Sequence, residues 1–255
     1  MTDRSAFFCA RVSALIRCNP ALKESTFRGV SRAVGEEAMT LQGTVNKTGI
    51  SLLILLAAAA FVWNSANPQP FILLGLVGGL VTALVTVFKN RAAPVTTPLY
   101  AAFEGLLLGG VSLMFEARHP GIVINAVALT FGTLAVLLIA YSSGLIRPSE
   151  NFKLGIFAAT GGVGLLYLVS MVMGFFGKSI PFIHESGPIG IAFSLFVVGL
   201  AALNLVLDFD FIERGAAMGA PKYMEWVGAF GLLVTLVWLY LEILRLLAKL
   251  QDRRR

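Results

Sequence analysis

Hydrophobic positions along the chain fall into seven long continuous runs. They are Thr48–Trp63, Phe71–Phe88, Leu99–Phe115, Ile122–Tyr141, Leu154–Gly177, Ile189–Phe211 and Tyr223–Leu247. Most approach the roughly 20 residues an α-helix needs to cross a hydrocarbon core about 30 Å thick. Turn or charge signals separate them: Asn67-Pro68, Lys89-Asn90-Arg91, His119-Pro120-Gly121, Pro148-Ser149-Glu150-Asn151, Lys178 with Pro181, and Gly219-Ala220-Pro221-Lys222. Such short connections predict antiparallel neighbours. A membrane β-barrel is excluded, because its strands alternate apolar and polar residues over about ten positions. The pattern predicts an all-α integral membrane protein, a seven-transmembrane-helix bundle over residues 47–250. A basic N-terminal segment, 1–46, precedes it and a short basic tail, 251–255, follows.

Composition agrees with this pattern. Of 255 residues, 57% are hydrophobic and 13% charged, against about 25% charged in a soluble domain. One soluble core could not hide that much apolar surface. Lys and Arg set the orientation. Arg4, Arg11, Arg17, Lys23, Arg28, Arg32 and Lys47 precede the first run, and Lys89, Arg91, Arg147, Lys153, Arg214 and Lys222 lie in loops on the same side. The opposite loops hold only Arg118 and Lys178. This bias predicts a cytoplasmic N-terminus. Seven spans then send Arg253-Arg254-Arg255 to the outer side, against the bias, unless one run is re-entrant. The net charge of +6 points to anionic lipid headgroups, not to nucleic acid. The apolar stretch Phe7–Ile16 is broken by Arg11 and lacks a following cleavage site, so it is not a secretory signal. Cys9 and Cys18 have no neighbours at metal-ligand spacing and are expected to be free thiols in a reducing compartment.

Glycine pairs Gly75-Gly79 and Gly105-Gly109, with Gly161, Gly162 and Gly164, predict close helix packing. No phosphate-binding loop, zinc-protease motif or nucleophile elbow occurs. No cofactor or metal is therefore expected, nor an enzyme. His119 and His184 fall in loops and read as solvated side chains.

Acids inside apolar runs remain: Glu104, Asp208, Asp210 and Glu242. Such carboxylates cost roughly 2.5–3.5 kcal/mol on insertion scales and usually face a partner or a water-filled cavity. Glu104, about 8 Å into its run, and Asp208 share the cytoplasmic half. Asp210 points to the other side of its helix and reads as an interfacial charge near Arg214. Glu242 is spaced to pair with Arg245 at i+3.

The stretch from Ala202 to Ile212, Ala-Leu-Asn-Leu-Val-Leu-Asp-Phe-Asp-Phe-Ile, resembles the sixth helix of the Bax-inhibitor/YccA family. The stretch from Leu239 to Leu247, Leu-Tyr-Leu-Glu-Ile-Leu-Arg-Leu-Leu, resembles that family's C-terminal end. Asn19-Pro20-Ala21-Leu22 and Tyr100-Ala101-Ala102-Phe103-Glu104-Gly105 are similar to a bacterial branch with a longer N-terminus. The resemblance implies a central helix surrounded by the others, in a bacterial inner membrane. It also implies a pH-sensitive calcium leak, gated by two aspartates that share a proton, because two close carboxylates do not both ionise cheaply. Asp208 matches the first aspartate. The second falls on Glu242 or Thr235, depending on which part of the motif is aligned. Hairpin depth favours Thr235, leaving Glu104 as the expected partner of Asp208. Some relatives modulate a membrane-anchored protease, so a contact-based regulator is the alternative to a leak for calcium or protons.

Overall fold

The computed structural model describes residues 37–65, 67–176 and 187–253. Among them are seven helices long and apolar enough to cross a membrane. In chain order they are α1 (Leu41–Trp63), α2 (Gln69–Phe88), α3 (Ala93–Arg118), α4 (Ile122–Ser142), α5 (Glu150–Phe175), α6 (Pro188–Ala217) and α7 (Met224–Asp252). One turn of 3₁₀ helix, Asn90–Ala92, leads into α3. Extended backbone among these residues pairs only at an isolated antiparallel bridge, Ala38 with Pro221. Each apolar run lies in a helix long enough to cross a membrane, which fits seven crossings rather than a re-entrant run. α1 therefore begins at one face, called here the N-terminal face, and α7 ends at the other.

Several helices outrun their apolar stretches, for identifiable reasons. α1 starts at Leu41, seven residues before Thr48, because Thr40 caps it by accepting a hydrogen bond from Gly43 N at 2.9 Å. Its first two turns carry Gln42, Asn46 and Lys47, which an apolar-run criterion rejects. α3 starts at Ala93 rather than Leu99: Pro94 stands in its first turn, where proline lacks no needed donor, and Pro98 is accommodated inside. Ser149 caps α5, so that helix begins at Glu150. α7 continues to Asp252, past both the end of its apolar run at Leu247 and the 250/251 boundary assigned to the tail. Cys9, Cys18, Lys178, His184 and Arg254-Arg255 lie outside the described residues.

α7 is the centre. Leu233, Leu239 and Leu244 on it have no exposed surface, and α1, α3, α4 and α6 pack around it. α2 lies outside against α3, and α5 outside against α6. Glycine explains the tight crossings. A Cβ on Gly75 would meet Leu107 N and Phe103 O at 2.6 Å, and one on Gly109 would meet Ala59 O at 2.7 Å. Backbones approach there because no side chain intervenes. The α5 glycines behave differently: Gly161, Gly162 and Gly164 face open space among the described residues, which do not supply the packing expected of them. Leu53, Phe61, Phe88 and Ile189 lie on the outer surface, exposed to the hydrocarbon.

His119 also departs from its expected solvation. It is buried, and its Nε2 lies 2.8 Å from Asp252 Oδ1, tying the α3–α4 turn to the last turn of α7.

Candidate functional site

α6 and α7 form an antiparallel hairpin, and polar side chains line its seam. Asp208 on α6 and Thr235 on α7 are each 4% exposed. The Thr235 hydroxyl hydrogen-bonds the Asp208 carboxyl. Asp208 lies nine residues before the end of α6, and Thr235 eleven after the start of α7. Both therefore sit about 14–16 Å from the N-terminal face, near the middle of a core roughly 30 Å thick. The second carboxyl oxygen, Asp208 Oδ2, is buried without a hydrogen-bond partner among the described residues. Towards the N-terminal face the seam is tight. Ile212 closes over Gly228, where an added Cβ would come 3.0 Å from Ile212 Cγ1 and 3.1 Å from Thr44 Cγ2.

Glu104 does not join this pair. α3 starts six residues earlier than its apolar run, which puts Glu104 about 16 Å deep rather than about 8 Å. There it accepts a hydrogen bond from Tyr100 on its own helix. It also faces α2, where a Cβ on Gly79 would lie 3.3 Å from Oε1. Gly105 and Gly109 turn the neighbouring side of α3 to α1, and this rotates Glu104 under α2 and away from α6. Asp210 points away from α7, as its two-residue offset from Asp208 requires. It pairs with Lys153 at 2.7 Å and Arg214 at 3.1 Å.

Glu242 forms a second cluster seven residues beyond Thr235, about 10 Å further along α7. Its Oε1 accepts hydrogen bonds from Arg245 at 2.8 Å and from the Tyr167 hydroxyl at 2.9 Å. Arg245 also reaches Tyr167 at 2.9 Å. Next along the same side is Lys249, 5% exposed, whose Nζ donates to Gly190 O at 3.0 Å and Ser194 Oγ at 2.9 Å. Thr235, Glu242 and Lys249 recur every seven residues and thus share one side of a helix; the cost of burying carboxylates singles out Glu242 but says nothing of Lys249. Glu225 is a further buried acid, outside the four named from the sequence. It is 1% exposed at the start of α7, pairs with Lys47 and accepts from Thr40 N and Oγ1, each at 2.9 Å. No cluster of three or more metal-ligating side chains occurs among the described residues.

Residues 19–252, and with them all seven helices, match the Bax inhibitor 1 like family. The chain belongs to that family. No curated protein matches it. This Bax inhibitor 1-like chain keeps one buried carboxyl on α6 and presents threonine to it from α7. Glu242, the other alignment, is a full heptad too far along α7 to face Asp208.

Proposed function

We propose that this membrane protein is a cation leak pathway closed at Asp208 and Thr235, with calcium and protons as the candidate ions. One observation carries the reading: a mid-membrane carboxyl, 4% exposed, with one oxygen lacking a hydrogen-bond partner among the described residues. Intramembrane ionisable groups are costly and mark ion pathways or proton relays. Thr235 contributes no charge, and among the described residues no ion pair reaches Asp208, so none of them holds it in a single protonation state. Gain or loss of a proton there changes the local field strongly in a low-dielectric seam, which is a means of opening it. The Lys and Arg bias supports a cytoplasmic N-terminal face, and the resemblance to bacterial relatives supports an inner membrane.

Purified protein in liposomes tests the reading. Calcium- and pH-sensitive dyes are trapped inside, and flux is followed from mildly acid to neutral pH. Flux that varies with pH in the wild type and loses that dependence in Asp208→Asn is expected. Absent flux, or an unchanged Asp208→Asn profile, contradicts it.

A second reading, a regulator acting by contact with a membrane-anchored protease or another membrane complex, has its own support. Met39 N donates to Ala220 O at 2.6 Å and Lys222 N to Glu37 O at 3.0 Å. The segment entering α1, Glu37–Thr40, is thereby fastened to the α6–α7 turn. Partner capture unchanged by deletion of residues 1–36 contradicts this reading.

A further inference from the structure

A cleft of about 410 Å³ runs along the bundle between α1 and α4. Leu56 and Trp63 of α1 and Ile124 and Phe131 of α4 are its exposed edges. Leu233 and Leu236 of α7, with Leu108 of α3, are its buried floor. The helix ends fix its depth. Trp63 closes α1 and Ile122 opens α4 at the C-terminal face. Leu52, eleven residues before Trp63, and Phe131, nine after Ile122, lie about 14–16 Å inside that face. The cleft therefore spans one half of a hydrocarbon core roughly 30 Å thick.

Empty space forfeits dispersion contacts along its walls, so a cleft of this size within a bilayer is filled. Water finds few partners in it. The Ser112 and Tyr240 hydroxyls bond each other at 2.6 Å, and Thr130 donates to Ala126 O at 2.8 Å. Both Glu116 oxygens accept from backbone, Gly121 N at 2.6 Å and Val123 N at 3.1 Å. Apolar cavities stay dry. A helix from a second copy is too bulky, since a 15 Å length about 10 Å across fills roughly 1,200 Å³.

We infer that this cleft is a binding site for one acyl chain of a phospholipid from the leaflet at the C-terminal face. Its length equals the depth of one leaflet. An extended hydrocarbon chain, about 4–5 Å across at ordinary carbon contact distances, needs no hydrogen-bond partner and covers the apolar floor. Trp63 stands at the headgroup end, where indole rings favour the membrane–water boundary. The site is independent of any ion passing Asp208.

A phosphatidylcholine with a diazirine half-way along one chain tests this, incorporated sparsely into liposomes with the whole protein. After irradiation, labelled residues are mapped by peptide mass spectrometry. Leu73, Leu76 and Val77 of α2 are exposed at similar depth from the same face and report ordinary bilayer contact. Labelling of Leu56, Ala60 and Val127 is expected to exceed theirs at least about fivefold. Ala60→Trp, which fills the mouth, is expected to bring Val127 down to the α2 level. Ala57→Trp, at an exposed position outside the cleft, is expected to leave it unchanged. Equal labelling of cleft and α2 in the wild type overturns the site, and this comparison decides even where Ala60→Trp does not fold. Undiminished labelling of Val127 in folded Ala60→Trp overturns it too. So does labelling below the α2 level, the result expected of a cleft filled by protein.

Discussion

Asp208 and Glu242 are both almost completely buried, and both line the α6–α7 seam about one heptad apart. Their surroundings differ. Asp208 meets a hydroxyl, whereas Glu242 meets an arginine and a tyrosine hydroxyl, with a lysine one heptad further on. Burial alone thus does not decide what a membrane carboxyl does. Compensation ties Glu242 into the cohesion of α5, α6 and α7, since removing one member of a buried charge set leaves the others unpaired. Among the described residues Asp208 joins no ion pair, so its change of state strands none of them.

This contrast can be broken by measuring thermal unfolding in detergent micelles. The largest effect is expected from Glu242→Leu, which takes the carboxylate from Arg245 and the acceptor from Tyr167 and should cost about 3–5 kcal/mol. A smaller loss, about 1–3 kcal/mol, is expected from Lys249→Met, because Gly190 O and Ser194 Oγ lose their donor. Asp208→Asn keeps the shape and the acceptor for Thr235, so a change under about 1 kcal/mol is expected. A loss at Asp208 equal to that at Glu242 would erase the distinction. Smallest of all, Gly162→Ala on α5 has room for its methyl group and should shift stability by less than about 0.5 kcal/mol.

Most of the fold was legible because hydrocarbon is an unforgiving solvent: backbone groups must pair within each span, so continuous apolar runs become helices. Capped polar ends were not legible that way. Thr40 and Ser149 start helices whose first turns contain charged or amide side chains, and the apolar criterion ignores them. At the site, hairpin depth pointed to Thr235 opposite Asp208, and the two residues do meet. The same depth argument misplaced Glu104, because its helix begins earlier than its apolar run and because depth says nothing of rotation. Only the interhelical packing of Gly79, Gly105 and Gly109 reveals that Glu104 lies under α2. Lys249 carries no carboxylate to mark it, although the heptad Thr235, Glu242, Lys249 is visible in the sequence. His119 looked like a loop residue, and only the extension of α7 to Asp252 supplies its partner.

The central claim, that Asp208 is a gate facing Thr235, is tested most directly by Thr235→Asp in the liposome flux assay. Two facing carboxyls would share a proton, and the account predicts that the pH of half-maximal flux moves by at least about one unit. The second substitution, Asp208→Asn in that background, should move it again. A Thr235→Asp profile superimposable on the wild type would contradict the account.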